Sequence, residues 1–536
     1  MTVSLIGEVV NACDATTGFN QGNISGDDDF VEGSGALGLK CSNATCELFT
    51  TTLGAGAPYD FSSGGAEEGD HLIMWFNTKS PINATAGIRI TVGDSAGTPD
   101  RAHWNVQPVG LYKGGFITKV INPEADFSSI QTGTWTVGGN PAQLTNIDQV
   151  GGTIQTTTTI MGSFNNIQID QITIGTGIRV DAGTGGTPNT FETVRAVDED
   201  TNFWGWMSSF AGAFVMKGGL FIGPATGSAT SVFTDSNFSI IFAEENVAPG
   251  FYVIDARGGA TTVTWTLGSI SAANPAVARW DLVVNHVDTV FSDTNSVFSG
   301  YAAILLAAGD SLSGTTFIDG VLLSVAASAT ADGITVLNPA NPTNVGAVAM
   351  TELGGLTNST IEFGTAGHGI HLLLNTGDHD LDNVQFVGGY GGTPGSNLVA
   401  ETGSADAMIV NDTGGFVTLT ILNGGTLPSI RNGVGATTQV NQEVQVTFTG
   451  MKDNTEVRVY NSSTGAEVAG IEDVTSGTTD DRFFAFSAAA SLVVDYVIHH
   501  HEDAGQNFQT IRVNDFTMPV TNASIPIQQI IDRNAV

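Results

Sequence analysis

The chain has 536 residues and carries 17 Lys and Arg against 53 Asp and Glu, a formal net charge of −36. Charge of that sign repels phosphate backbones and anionic headgroups, so it excludes nucleic-acid binding through a basic face and argues against a membrane-surface role. A hydrophobic share of 41 % with 68 glycines describes a chain with ample core and many turns, not a disordered one.

The first residues, Met1 to Val10, contain no basic stretch followed by a long apolar run, so no signal peptide is expected. The longest apolar run, Ala302–Ala308, falls far short of the roughly 18 residues a membrane helix needs. Cys13, Cys41 and Cys46 are an odd set in a long chain, which reads as reduced thiols and not as a disulfide framework. The composition, rich in Gly, Thr, Asn and Ala, is that of an extracellular surface. Synthesis without an export signal and a surface-like composition together are the first clue to function.

Helix signals are almost absent, and apolar residues come in short Val, Ile, Phe and Thr runs closed by Gly, Asn, Asp or Pro. The fold expected is all-β, in three segments. Residues 1–125 carry strands at Asp70–Phe76, Gly87–Val92, His103–Val106 and Tyr112–Phe116, the spacing of a jelly-roll or lectin-like sandwich. Residues 126–440 repeat a pattern seen in Thr315–Gly320, Ser359–Gly364 and Asp382–Gly388. Phe317 and Phe363 lie 46 residues apart and Phe363 and Phe386 lie 23 apart, with Asp332–Leu337 as a fitting strand between the first two. A period near 23 predicts a right-handed parallel β-helix, whose coils bury apolar side chains only by stacking; an array of β-sandwiches is the alternative. Residues 441–536 carry Val444–Phe448, Thr455–Tyr460, Phe483–Phe486 and Leu492–Ile498 at hairpin spacing, a small C-terminal β-domain. Its apolar tail, Ile525–Arg533, is expected to dock on a neighbouring subunit.

Few residues suggest chemistry. Asp198, Glu199 and Asp200 beside Trp204 and Trp206 combine carboxylates for acid–base work with indoles on which sugars stack, although packing of the two Trp residues is the favoured role. Glu244 and Glu245 are the other dense acids of that kind. His368, His371, Asp378, His379 and Asp380 supply metal-ligating types, but their spacing is irregular and a strand followed by a turn is favoured. His499, His500 and His501 alternate faces on a strand and cannot converge within one chain; one ring from each of three chains could. Asp27–Asp29 and Glu67, Glu68 and Asp70 lack the spacing of a calcium loop and read as solvated turns. No serine-nucleophile elbow, Walker loop, zincin motif or Cys–His pair at a recognisable family spacing is present, and no cofactor is called for.

Three stretches together resemble virion structural proteins of tailed phages, marine ones in particular. They are Gly87–Ile90 through Trp104 to the Tyr112–Phe116 turn, the Gly- and Asn-punctuated coils, and the ending Ala523–Gln529 with Asp532–Asn534. The resemblance implies a homotrimeric β-helical spike, fibre or head-decoration protein, contacting other capsid or tail proteins and host-surface glycans. It transfers no catalytic residue. It also fits the missing signal, because virions assemble in the host cytoplasm and leave by lysis. The runner-up function is a polysaccharide-degrading tailspike, a lyase or hydrolase using Asp198, Glu199 or Asp200. A secreted adhesin would normally carry an export signal that is not seen here.

Overall fold

In the computed structural model, the structure describes residues 2–536 except 16, 21–22, 26–29, 31–32, 43–44, 47–48, 55–57, 67–68, 79–87, 107–115, 125–134, 155–163, 182–189, 224–230, 243–251, 257–262, 274–278, 394–405, 479–480, 502–507, 520–521 and 533–536. Asp27–Asp29, Glu67, Glu68, Glu244, Glu245 and the Tyr112–Gly115 turn lie outside the described residues. What is described is β almost throughout, and it divides into two compact units, one of residues 1–310 and 318–321, the other of 311–317 and 322–536.

The first unit opens with an antiparallel sandwich. One sheet runs in the order Asn23–Ser25, Ala36–Ser42, Phe164–Asp181, His71–Thr78, Phe116–Ile121, and the other in the order Trp135–Gly139, Thr98–Val106, Ile88–Asp94, Gln149–Ile154, Phe49–Thr52. Alternation decides which side chains fill the space between the sheets. Leu72, Met74 and Phe76 from one sheet and Ile90, Val92 and Trp104 from the other join a single buried cluster. The sandwich uses strands well past residue 125, because the partners of Ile88–Asp94 and His71–Thr78 are Gln149–Ile154 and Phe164–Asp181. Cys41 and Cys46 stand opposite each other in a tight antiparallel pair, and Cys13 is a buried thiol whose Sγ donates to the Asn11 carbonyl at 3.7 Å.

Phe164–Asp181 is 18 residues long and changes company along its length. Its first half pairs antiparallel with His71–Thr78, and its last residues pair parallel with Gly219–Ile222, the start of a β-helix. At Gly177, where the partners change, a Cβ would lie 2.1 Å from the carbonyl oxygen of Gly219, so only glycine lets the two backbones approach. A short helix, Phe191–Val197, covers the first coil. Its Phe191 ring packs at 4.8–5.8 Å on Phe238, Phe233 and Phe214, closing an apolar end that no earlier coil covers.

Each coil but the last carries three strands, one in each of three parallel sheets. In the first unit the ladders are Ala213–Met216, Ser239–Phe242, Ser271–Ala273, Val297–Ser299; then Gly219–Ile222, Tyr252–Ala256, Trp280–Val283, Tyr301–Leu306; and Ser231–Ser236, Val263–Gly268, Thr289–Thr294. Large rings stack inside, Trp265 between Phe233 and Phe291 and Trp280 between Phe242 and Phe298. The second unit repeats the plan with aliphatic side chains, including Leu323, Val348, Ile370, Ile409 and Ile430, all fully buried.

The corner leading from the third sheet into the first has the same form in coil after coil. Two residues separate the strands, the first in the left-handed region and the second pointing inward. In the first unit the left-handed residues are Asn237, Ser269 and Asn295; in the second they are Gly314, Gly333, Asn358 and Asn383. Asn and Gly are the residues that reach this conformation at little cost. Stacked asparagines then bond along the ladder. Asn383 Nδ2 donates to Asn358 Oδ1 at 3.0 Å and Asn358 Nδ2 to Asp332 Oδ1 at 2.8 Å. The inward residue is apolar or a small hydroxyl, as at Ser359, whose Oγ accepts from the Ile334 amide at 3.2 Å.

The parallel β-helix is therefore present, but its register is not the one predicted from Phe363. Val336 faces Ile361 and Ile361 faces Phe386, so these coils advance by 25 residues. Phe363 lies beyond the strand Thr360–Glu362 and its ring packs against Tyr390.

The second unit ends in a small sandwich. The 15-residue strand Thr437–Met451 begins parallel to Phe416–Leu422 in the coils and continues antiparallel to Asp481–Ala489. The facing sheet has the order Glu467–Ile471, Thr455–Asn461, Val493–His500, Ile511–Thr517. Phe448, Val446, Val459, Tyr496 and Ile498 share its core. The tail expected to reach for a neighbour folds onto its own domain. Ala523–Pro526 adds a parallel strand to Thr437–Met451, Ile527 joins the core, and Gln529 accepts from the Lys452 amide at 2.7 Å. The sheet edge pairs with the tail's backbone, and among the described residues of the tail Ile530 and Ile531 are the large hydrophobic side chains that stay exposed.

Candidate functional sites

The acid run Asp198–Asp200 occupies one π-helical turn, Asp198–Asn202, directly after the covering helix. The turn is closed by Phe203 in the left-handed region, and the chain doubles back past Trp204 and Trp206. This geometry buries Asp198 completely. Its Oδ1 accepts from the Gly205 amide at 2.8 Å and its Oδ2 from the Met207 amide at 2.6 Å. Burial pushes its carboxyl up to about 7, against the pull of those amides and of Lys217. A carboxylate sealed behind two backbone donors reaches no substrate. It positions the elbow.

Glu199 and Asp200 are also committed. Arg195 bonds Glu199 at 2.9 Å, both oxygens of Asp200 at 3.0 and 3.1 Å, and Glu192. Glu199 accepts in addition from the Ser209 amide. Trp206 is 1 % exposed, edge-on to His71 at 6.2 Å, so it offers no face to a sugar. The Trp204 carbonyl accepts from Thr173 Oγ1, the Asn202 carbonyl from Gln171 Nε2, and the Phe203 carbonyl from Trp75 Nε1. The predicted acid–indole cleft is thus a clamp that fastens the first coil to the sandwich. Sequence shows acids near indoles; it does not show that a reversing chain turns them inward.

The histidine–aspartate group of the second unit is likewise not assembled. His368 lies on His368–Leu372, buried, with Nδ1 accepting from the Ala407 amide at 2.9 Å. Burial lowers its pKa. His371 points the other way and meets Asp412 at 3.2 Å. On the third sheet, Gly377–Asp382 turns His379 inward, within 3.0 Å of the Asn375 carbonyl, and leaves Asp378 and Asp380 outward. Among the described residues no three His, Cys, Asp or Glu side chains converge as metal ligands.

The His499–His501 triplet alternates as its strand requires. His500 is buried against Phe508, while His499 and His501 meet edge to face at 5.0 Å on the other side. His499 Nδ1 lies 2.8 Å from Thr510 Oγ1 and His501 Nε2 lies 3.4 Å from Glu456.

One group escaped the sequence reading. On the outer side of the second sheet, Asp255 and Asp281 lie on neighbouring parallel strands, offset by two residues because Val253 faces Asp281. Strand spacing and rise place two such positions about 8 Å apart. Asp255 Oδ1 holds His286 Nε2 at 2.8 Å. Asp281 accepts from the Ala303 amide at 2.8 Å, and burial raises its pKa. The group consists of an oriented imidazole and an acid held protonated more readily than usual. The available signal was two outward Asp residues one coil apart, invisible until the coil length was known.

No known protein family and no curated relative matches the chain. Among solved structures, the catalytic domain of Agl-KA aligns over 82 % of this chain and 98 % of its own, at 11 % identity and a TM-score of 0.22. The catalytic unit of a thermostable GH87 α-1,3-glucanase from Streptomyces thermodiastaticus aligns over 80 % and 98 %, at 11 % identity and a TM-score of 0.20. The β-helix described above follows from its own parallel ladders.

Proposed function

We propose that the protein is a structural component of a tailed-phage virion, a homotrimeric β-helical spike, fibre or head decoration whose surfaces meet host glycans. The observation that carries this reading is that the coils run into their terminal sandwiches through shared strands, Phe164–Asp181 in the first unit and Thr437–Met451 in the second. Shared strands resist bending and pulling better than flexible linkers do, a property suited to a part that bears load and less needed in a soluble catalyst. The acid–indole cluster, spent on fastening the first coil, supports the same reading. The test is the mass of the purified chain followed by a cryo-EM reconstruction of the particle that carries it. Trimers in solution and three-fold density on a tail or head are expected. A soluble monomer absent from any particle sinks the proposal.

Glycan cleavage is the second reading, favoured by the Asp255–His286 pair beside Asp281. Asp281 would protonate the leaving oxygen while His286, held by Asp255, takes a proton from the attacking water, the acid and base roles of an inverting glycosidase with an imidazole in place of the second carboxylate. Release of reducing ends from bacterial polysaccharide that disappears in both Asp281→Asn and His286→Ala would establish it; no release by the unaltered chain removes it.

A further inference from the structure

Asparagine precedes glycine twice in the chain, at Asn423–Gly424 and at Asn432–Gly433, and the fold treats the two pairs in opposite ways. Asn423 follows the third-sheet strand Phe416–Leu422 and takes the left-handed corner place that Asn358 and Asn383 hold on preceding coils. Those two are followed by Ser359 and Val384, which lead into the first sheet. After Asn423, Gly424 is left-handed as well, with φ of +81°, and the Gly425 amide donates back to the Leu422 carbonyl at 3.0 Å, so the chain turns tightly. A side chain at 424 would have to adopt that left-handed backbone and would bring its Cβ within 2.8 Å of Asn522 Nδ2. The corner therefore selects asparagine first and glycine second.

An asparagine in that company is open to attack on its side chain by the backbone nitrogen of the next residue, because glycine leaves the approach unshielded. The attack needs a nitrogen free of other bonds and a side chain that water reaches. Asn423 is exposed, and among the described residues the Gly424 N–H donates no hydrogen bond. Asn432 meets neither condition. It is 8 % exposed, its Oδ1 accepts from Thr438 Oγ1 at 2.6 Å, and the Gly433 N–H donates to the Asn411 carbonyl at 2.8 Å.

We propose that Asn423 is a deamidation site that acts as a timer on the last strand of the first sheet, Gln385–Val387. The Gly424 nitrogen bonds to Cγ of Asn423, and Nδ2 leaves as ammonia with the amide's proton. Water then opens the cyclic imide at one carbonyl or the other, giving aspartate or isoaspartate; one water is consumed, one ammonia is released and nothing is oxidised. In the intact turn Asn423 Nδ2 donates to Asp382 Oδ1 at 2.5 Å, the Gly424 carbonyl accepts from Gln385 Nε2 at 3.1 Å, and the Thr426 amide donates to the Val384 carbonyl at 2.9 Å. Aspartate replaces the donor with a second carboxylate facing Asp382, and like charges at that range repel. Isoaspartate adds a methylene to the backbone of the turn. Both loosen the chain that covers Gln385–Val387. The site stands apart from the virion reading, since ageing in solution tests it without any particle.

The test is ageing of the full chain at neutral and at mildly alkaline pH, followed by peptide mass mapping, with a sample held in guanidinium beside it. In the folded chain Asn423 should gain one mass unit, as aspartate and isoaspartate together, faster at the higher pH because the attacking nitrogen must lose its proton. Asn432 should lag by about tenfold or more, because it reacts only through local opening. In guanidinium the two should convert at similar rates. Asn423→Asp, which carries one of the products from the start, should quicken hydrogen exchange at Gln385–Val387 and leave the first unit unchanged. An Asn423 as inert as Asn432 in the folded chain overturns the site, as do equal rates at the two asparagines with and without guanidinium. Exchange at Gln385–Val387 that is unmoved in Asn423→Asp overturns the timer.

Discussion

At the first junction between coils and sandwich, an 18-residue strand exchanges the antiparallel His71–Thr78 for the parallel Gly219–Ile222 along one edge while Thr2–Asn11 stays antiparallel along the other, and a polar elbow is laid over the change. Asp198, the three carbonyls of Asn202, Phe203 and Trp204, and the Arg195 network fix that elbow through directional bonds. At the second, a 15-residue strand makes the reverse change, and what reinforces it is apolar: Val446, Phe448 and Ile527 in a common core, with the chain's own tail as an added strand. The first device sets one geometry and collapses if a donor is orphaned; the second tolerates adjustment but depends on volume. Two solutions to one problem therefore differ in how they should fail.

The largest effect expected is at the apolar junction. Phe448→Ala, with its ring against Phe486 and Tyr496, should cost about 3–5 kcal/mol, read as a lower melting temperature with the first unit unchanged. Asp198→Ala should cost the polar junction about 2–4 kcal/mol, because the Gly205 and Met207 amides lose their acceptor in a dry site. Hydrogen exchange should then quicken around residues 198–210 and not around residues 437–451; equal quickening at both would erase the contrast.

The polar junction should sense pH through a fully buried carboxyl, whereas at the apolar junction the pKa of the half-buried Glu443 is raised by burial and by Asp380. Asp198 titrates near 7 in the fold and near 3.9 when unfolded. Between those values the folded state keeps a proton that the unfolded state has lost, so this contribution falls as pH rises from about 4 to 7 and is flat above. Measured against Asp198→Asn, which does not titrate, the wild-type advantage should shrink by about 2 kcal/mol between pH 5 and pH 7.5. A gap that widens with pH would overturn this.

Smaller effects belong to the corners. Asn358→Ala forces alanine into the left-handed region and cuts the ladder at two bonds, costing about 1–3 kcal/mol. Gly333→Asn, at a left-handed corner whose nearest neighbour to an added Cβ is 3.7 Å away, should stabilise by about 0.5 kcal/mol. Paired thermal melts of the two variants check the sign difference.

The all-β class, the parallel coils and the terminal domain were legible because period-two alternation and Gly- or Asn-closed runs are local signals. The triplet at His499–His501 could be resolved into inward and outward rings for the same reason. Register was read wrongly because Phe363 is as apolar as Ile361 and one position class away; the asparagines at 358 and 383 carried the true interval. Strand partners over 150 residues apart, such as Thr2 and Asp181, leave no local trace, which is why the sandwich was cut short. The sites were legible only as alternatives, with packing favoured for Trp204 and Trp206 and a strand followed by a turn for His368–Asp380; Asp198 and Trp206 are buried, and Gly377–Asp382 turns His379 inward and Asp378 and Asp380 outward, details that residue type alone does not carry.

The two-residue corner has a consequence for how such a chain can change. It fixes the interval between third and first sheets, while the passage from first to second sheet ranges from Gly300 alone to the 21 residues between Gln385–Val387 and Ile409–Asn411. Length is thus free at one edge of a coil and forbidden at another. New segments can be spliced into the permissive edge one coil at a time, and the pitch, the interior stack and every other coil's decoration stay as they were. That edge is where grafted recognition loops should be tried first.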